Sequence, residues 1–250
     1  MNIFSVFQFI KTNYFNILLA LLPVSFIAGN MIININLIIL ILSSLIIYNK
    51  EIFKVNFYIL DKVIILFFLL IIVTGIFNDF KLYKFHNEFY SNRELASTIK
   101  SILFLKYLLL YLIVRFLIEN KNIQLNLFFI VCLFSSIFVC IDIFIQFIFG
   151  KDLFGFEIEY PGRRLGGPFK DELIAGGYIQ RFSIFSFFVL PLFFSNHSKN
   201  LSKFVIPVLF SIFVLGIILS GNRMPMLLFL LSISLICVFQ KQTRKLFIPF

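Results

Sequence analysis

The sequence contains few of the residues that commonly bind metals or form disulfide bonds, with only three cysteines and two histidines. Cys132, Cys140 and Cys237 lie inside long apolar runs, where cysteine is usually a small buried apolar residue. The two histidines, His86 and His197, lie in polar segments that the topology below assigns to opposite sides of a membrane. The sequence therefore predicts neither a disulfide framework nor a metal site.

Acidic residues are also scarce, with 12 against 22 basic ones, giving a net charge of +10. The lysines are spread over many short segments, and no soluble basic domain is present that could hold a nucleic acid. The glycines form neither a Walker motif nor a GxGxxG pattern. These absences predict no nucleic-acid partner and no nucleotide site.

Apolar residues, in contrast, make up 60% of the chain, and the mean hydropathy is +1.01. Such a composition is typical of a protein with several membrane spans. The pattern predicts an all-α, polytopic transmembrane helix bundle that forms a single membrane domain over residues 1–250. It contains about eight spans, near residues 12–28, 31–48, 60–77, 101–118, 125–149, 181–195, 204–220 and 224–239.

The charges of the connecting segments predict the orientation of these spans. Four basic segments with few acids are expected in the cytoplasm, because positive charge is enriched on that side. They are residues 50–54, Lys121, residues 199–203 and residues 241–245. Both termini are then cytoplasmic, and two longer loops, at about 78–100 and 150–180, face outward.

The second of these outer loops contains the segment YPGRRLGGPFKDELIAGGY, at residues 160–178. Arg163 and Arg164 carry planar, forked donors that suit phosphate oxygens. Gly166 and Gly167 belong to a turn that leaves the backbone close to whatever binds there. The segment is therefore a candidate site for a diphosphate. The alternative is a solvated loop whose arginines contact lipid headgroups.

Asp142 is an ionisable residue inside the predicted fifth span, one helical turn from Gln146 on the same face. Charged residues within a span are rare and often functional. Two interpretations are open: Asp142 pins two helices together, or it orients an arginine or polarises an acceptor. Lys106 and Arg115, near the ends of the fourth span, are expected to extend to the membrane interfaces.

Two segments carry a resemblance to a known family. RLGGPF at residues 164–169, followed by DELI at 171–174 and then Gly176, resembles the signature loop of the O-antigen ligase and O-antigen polymerase superfamily. LSGNR at residues 219–223, followed by MLL at 226–228, resembles the short Ser-Arg turn of the same family. The similarity covers roughly residues 125 to 239.

The resemblance implies an all-helical bundle in the bacterial inner membrane that works on the periplasmic side without a cofactor. The implied reaction transfers a glycan from an undecaprenyl-diphosphate-linked saccharide to lipid A core or to another glycan. It also implies site residues: Arg164 and Arg223 in contact with the diphosphate, Arg163 and Arg181 in support, and Asp171 or Glu172 orienting Arg164 or an acceptor hydroxyl.

The sequence differs from the family pattern in one respect, and it leaves two other functions open. Family members usually continue into a larger outer loop bearing a histidine proposed as the base, so we expect the chain to lack a part that follows Phe250. A multi-span transporter or flippase, with Asp142 binding a proton or a cation, is one alternative. A non-catalytic membrane partner of a polysaccharide assembly complex is the other.

Overall fold

A computed structural model describes residues 3–54, 57–85, 96–158, 164–170, 172–189 and 199–239. These residues form eight α-helices and no strand, so the all-helical prediction is confirmed for them. The helices are Ile3–Ala28 (α1), Asn30–Tyr48 (α2), Ile59–Phe85 (α3), Ala96–Glu119 (α4), Asn126–Phe149 (α5), Ala175–Ser186 (α6), Lys199–Leu219 (α7) and Arg223–Phe239 (α8).

Four of these helices contain stretches long and apolar enough to cross a membrane, which supports the prediction of a membrane protein. They are Asn30–Tyr48, Ile59–Phe80, Ser97–Glu119 and Asn126–Phe149. Shorter apolar helices cover Asn13–Ala28, Val205–Leu219 and Arg223–Ile236. The total of eight spans and the side of each terminus stay predictions.

The sixth predicted span differs most from the structure. Helix α6 begins at Ala175, six residues before the predicted start, and ends at Ser186, where a turn continues to residue 189. The remainder of the predicted span, including Pro191, lies outside the described residues. Helices α3 and α4 also reach further than expected, to Phe85 and from Ala96, into the segment predicted as the first outer loop.

Internal contacts divide the chain into two compact units, and the single membrane domain stays a prediction. One combines Met1–Asn36 with Gln124–Phe250, and the other covers Leu37–Ile123. In the second unit, α3 and α4 pack side by side. Asp79 of α3 binds the start of α4, because its two carboxylate oxygens accept hydrogen bonds from the Ser97 and Thr98 backbone N–H groups at 3.2 and 2.7 Å. These are donors that a helix cannot satisfy internally.

A second aspartate binds the other end of the same hairpin. Asp61 accepts hydrogen bonds from the Tyr58 N–H at 2.6 Å and from the Tyr111 hydroxyl, and it forms an ion pair with Arg115. Arg115 also bonds to Glu119 at 3.0 Å, and its guanidinium lies 5.0 Å from the centre of the Tyr58 ring. The expectation that Arg115 extends to the membrane interface stays a prediction. The structure adds partners that the sequence did not predict, and the Arg115 side chain is 11% exposed among them.

In the first unit, α5 is the central helix and packs against α1, α6 and α7. Cys132 and Cys140 are fully buried and free, as expected for small apolar residues. Gly216 of α7 allows a close approach to α5, since a Cβ atom there would lie 2.7 Å from the Cys140 sulfur. The side chain of Cys237 lies outside the described residues.

Candidate functional site

The candidate site lies on the segment that follows α5, within the first unit. Helix α5 ends at Phe149 and is followed by Gly150, whose φ of 76° is the left-handed conformation common after a helix. The Gly150 N–H donates to the Gln146 carbonyl at 2.9 Å. The chain then folds back on itself. Lys151 and Glu157 pair across this turn at 2.7 Å, both exposed. Their contact raises the pKa of the lysine and lowers the pKa of the glutamate.

Two buried polar residues of α5 hold this segment against the helix. The Asp142 carboxylate accepts a hydrogen bond from the Leu153 N–H at 2.8 Å, and the Gln146 side-chain oxygen accepts one from the Gly167 N–H at 2.9 Å. Both side chains are almost completely buried. The predicted shared face of Asp142 and Gln146 is thus present, and it binds the backbone of the loop at two points.

Asp142 is only half satisfied by these contacts. Its second oxygen, Oδ2, is buried and has no hydrogen-bond partner among the described residues. Gly167 faces this oxygen closely, since a Cβ atom at Gly167 would lie 3.5 Å from it. Neither an arginine nor another helix binds Asp142 within the described part of the chain. Its visible role is to pin the loop.

The Gly-Gly-Pro segment forms a tight turn that needs its glycines. Gly167 has a φ of 55°, and a Cβ atom at Gly166 would overlap the carbonyl oxygen of Lys170. Residues Gly167–Phe169 form a short 3-10 helix, and the Phe169 N–H donates to the Gly166 carbonyl at 3.3 Å. The two glycines therefore shape the loop from buried positions, whatever binds beside them.

Lys170, which closes this turn, has a φ of 57° and a ψ of −124°. A residue other than glycine in such a conformation typically costs about 1 to 3 kcal/mol, and such strain tends to occur at functional sites. The lysine side chain is exposed, with its ammonium 4.9 Å from the centre of the Phe156 ring. Sequence reasoning gave this residue no role, because backbone strain leaves no signal in the amino-acid pattern.

The structure describes three of the four arginines predicted for the site. Arg164, Arg181 and Arg223 are exposed, and none of them forms an ion pair with another described residue. Arg163 and Asp171 lie outside the described residues. Glu172 is exposed and accepts a hydrogen bond from the Asn30 side chain, at the start of α2, at 3.2 Å.

The two segments that carry the family resemblance are in direct contact. The Asn222 side chain donates a hydrogen bond to the Leu173 carbonyl at 2.9 Å, across 49 residues of sequence. Gly176 packs on the same turn, since a Cβ atom there would lie 3.1 Å from the Asn222 Cβ and would overlap the Ser220 hydroxyl. Asn222 lies inside the LSGNR motif, yet its role as the connecting residue was not predicted.

Other contacts fix the start of α6. The Tyr178 hydroxyl donates to the Pro23 carbonyl of α1 at 3.0 Å. No group of three or more histidine, cysteine or acidic side chains that could hold a metal occurs in the described ranges. Comparisons of the chain with protein-family models, with curated proteins and with solved structures give no match.

Proposed function

We propose that this protein is a membrane glycan transferase of the O-antigen ligase and polymerase type. In this proposal it moves a saccharide from an undecaprenyl-diphosphate carrier to a hydroxyl group of lipid A core or of another glycan. The proposed site faces the periplasm from the bacterial inner membrane, and polysaccharide assembly proteins are its proposed partners. The observation that carries the proposal is the hydrogen bond from Asn222 to Leu173, which joins the two resembling segments.

The chemistry fits the exposed arginines on the two segments that this hydrogen bond joins. When the acceptor oxygen attacks the anomeric carbon of the donor sugar, the bond from that carbon to the diphosphate breaks and its electron pair leaves with the diphosphate. Negative charge therefore grows on the leaving group, and cations placed beside it lower the barrier. Arg164 and Arg223 sit on the two contacting segments, and their forked donors suit phosphate oxygens.

The acceptor hydroxyl also loses a proton in this reaction. A carboxylate within reach of the hydroxyl can accept it or orient it. Glu172 is the described candidate because it is exposed and its contact to Asn30 uses only one of its two oxygens. Asp171 is the neighbouring candidate, and it lies outside the described residues.

The proposal is tested by glycan transfer in membranes of a strain that lacks its own transferase. We expect Arg164→Ala and Arg223→Ala each to lower the rate about 30-fold to 1000-fold, as the loss of a contact to a developing charge commonly does. Lys151→Gln is the matched control, since Lys151 is an exposed cation on the same segment and pairs with Glu157. Transfer by Arg164→Ala at the parental rate, with equal protein in the membrane, would reject the assignment.

A further inference from the structure

The end of α1 packs against the first turns of α6, within the first unit. The Tyr178 hydroxyl donates a buried hydrogen bond to the Pro23 carbonyl at 3.0 Å. One turn further along both helices, the ring centres of Phe26 and Phe182 lie 5.4 Å apart. These contacts hold the corner between α1 and α2 near the loop that leads into α6. This corner lies outside residues 125–239, which carry the family resemblance.

The corner contacts the loop through the side chain of Asn30, the first residue of α2. Its amide donates a hydrogen bond to a carboxylate oxygen of Glu172 at 3.2 Å, across 142 residues of sequence. The N–H groups in the first turn of a helix have no partner within the helix, and they favour a negative charge nearby. The start of α2 therefore stabilises a carboxylate at this place, and Glu172 supplies it.

A second asparagine holds the next residue of the loop. The Asn222 side chain donates a hydrogen bond to the Leu173 carbonyl at 2.9 Å. Neighbouring Cα atoms in a chain are about 3.8 Å apart, so this bond lies one residue from Glu172 on one side and one residue from Arg223 on the other. In the proposed reaction the carboxylate serves the acceptor and the arginine serves the donor. Transfer requires both groups to be in place at once, and the two asparagines link them.

We propose that Asn30 is a positioning residue that orients Glu172 for the acceptor hydroxyl. Asn30 holds one carboxylate oxygen, and the other oxygen takes the hydroxyl proton while the acceptor oxygen bonds to the anomeric carbon and the diphosphate leaves with its electron pair. An exposed glutamate without such a contact samples several rotamers, so fixing one of them raises the fraction of molecules that are ready to react. This inference rests on the proposed function, and it extends the site to the corner between α1 and α2.

A simple link between α2 and the loop is the competing explanation of this contact, and exchanging the two side-chain groups separates the explanations. Asn30→Asp combined with Glu172→Gln keeps the shape of both side chains and reverses the hydrogen bond, because the glutamine amide donates to the aspartate. The link is restored, but the carboxylate then belongs to α2. If Asn30 positions Glu172, the double variant regains the unfolding temperature of the parental protein but not its kcat.

The purified protein is supplied with the undecaprenyl-diphosphate-linked saccharide of the host strain and with lipid A core. Loss of the donor is followed, so that transfer to lipid A core and transfer to another glycan are both recorded. We expect Asn30→Asp to lower kcat about tenfold, because two carboxylates then face each other and Glu172 turns away. Glu172→Gln keeps the hydrogen bond and should lower kcat about 100-fold. The KM for the donor should change less than about twofold in both variants, because the arginines are intact.

Asn34→Asp is the matched control for kcat. It adds the same charge one turn later on α2, where the Asn34 side chain donates to the Asn30 carbonyl at 2.7 Å, and kcat should stay close to the parental value. The contact itself is tested without any transfer by a short bifunctional thiol reagent. Asn30→Cys with Glu172→Cys should cross-link. Ile32→Cys with Glu172→Cys should not, because residues two positions apart lie on opposite sides of a helix.

Three results would overturn the inference: a parental kcat in Asn30→Asp, recovery of kcat in the double variant, or equal cross-linking of the two cysteine pairs. Each of them is obtained with a parental protein that consumes the donor, or without any donor, so each leaves the proposed function standing. A parental protein that consumes no donor would reject the proposed function and with it the role of Asn30, whereas the cross-link would still show the contact with Glu172.

Discussion

The α3–α4 hairpin and the loop after α5 both place aspartates beside apolar helices, but they satisfy them differently. In the hairpin, Asp61 and Asp79 use both carboxylate oxygens, on backbone donors, a tyrosine hydroxyl and Arg115. In the loop, Asp142 leaves one buried oxygen without a partner among the described residues. When both carboxylate oxygens of a buried aspartate are hydrogen-bonded, a structural role explains the residue. When one buried oxygen has no partner, a ligand or a movement is needed to explain it.

The same contrast holds for the arginines. Arg115 is packed between two carboxylates and a tyrosine ring, while Arg164, Arg181 and Arg223 are exposed and form no ion pair among the described residues. An arginine occupied by its own protein has little capacity left for a ligand. The comparison therefore predicts that substitutions in the hairpin alter stability first, and that substitutions in the loop alter activity first.

The largest loss of stability is expected for Asp61→Leu. This change leaves the mostly buried Arg115 guanidinium without Asp61 and with the more exposed Glu119 as its remaining carboxylate partner. Breaking a buried pair in this way is more destabilising than removing both charges. The temperature at which half of the detergent-purified protein stays folded should fall strongly. It should recover in part when Arg115→Leu is added, because the two changes then compensate each other.

Glu119→Gln is the matched control for this experiment, since Glu119 also bonds to Arg115 but is more exposed, at 37% of its side chain. Exposed pairs contribute little to stability, so the unfolding temperature of this variant should stay close to the parental one. If Asp61→Leu is as stable as Glu119→Gln, the satisfied carboxylate of the hairpin is not structural and the comparison fails.

A smaller effect on stability, joined to an effect on activity, is expected for Gly167→Ala. The φ of 55° at this position costs a residue with a Cβ about 1 to 2 kcal/mol, and the new methyl group would lie 3.1 Å from an Ile143 carbon. The turn must shift to relieve the backbone strain and the close contact with Ile143, and we expect Arg164 to shift with it. Transfer should fall about tenfold, which corresponds to roughly 1.4 kcal/mol in the barrier.

Gly155→Ala is the control that shows how much of the effect comes from backbone strain alone, away from the Gly-Gly-Pro turn. Gly155 has a φ of 86° in the same segment, but a Cβ atom there would have no neighbour within 4 Å. Both variants should lose the stability that the positive φ costs, and Gly167→Ala should lose more because only its methyl group meets Ile143. Only Gly167→Ala should lose transfer. Equal loss of transfer in both would mean that the loop responds to general strain, with no special requirement at the Gly-Gly-Pro turn.

Hydropathy predicted much of this fold because each long apolar helix appears in the sequence as a continuous run of apolar residues. The predicted spans 31–48 and 125–149 differ by one residue from helices Asn30–Tyr48 and Asn126–Phe149. Helix α6 was misplaced because Gly176 and Gly177 suggested a loop, whereas Gly176 serves a close contact with Ser220 and Asn222. That contact joins residues more than 40 positions apart, which periodicity does not reveal.

The site was predictable in its residue types and less so in its contacts. The shared face of Asp142 and Gln146 follows from helical spacing, but an arginine or another helix was expected as the partner of Asp142. The partners that the structure gives are the Leu153 and Gly167 N–H groups. Every residue except proline carries such a donor, so sequence cannot indicate which one a buried acceptor will bind. The Asp61 cluster was not anticipated either, because it joins side chains 50 positions apart in the sequence.

The smallest effect is expected for Asp142→Asn, which tests whether the half-satisfied aspartate acts only as a pin. Asparagine keeps an oxygen that can accept the Leu153 N–H, so stability and transfer should both change by less than about 1 kcal/mol. Asp142→Leu removes the acceptor, and the unfolding free energy should fall by about 1 to 3 kcal/mol because a buried N–H is left unsatisfied. Unfolding in denaturant and glycan transfer are measured on the same preparations. A loss of transfer beyond tenfold in Asp142→Asn, at unchanged stability, would show that the free oxygen or its charge takes part in the reaction, and Asp142 would then belong with Arg164 instead of with the hairpin carboxylates.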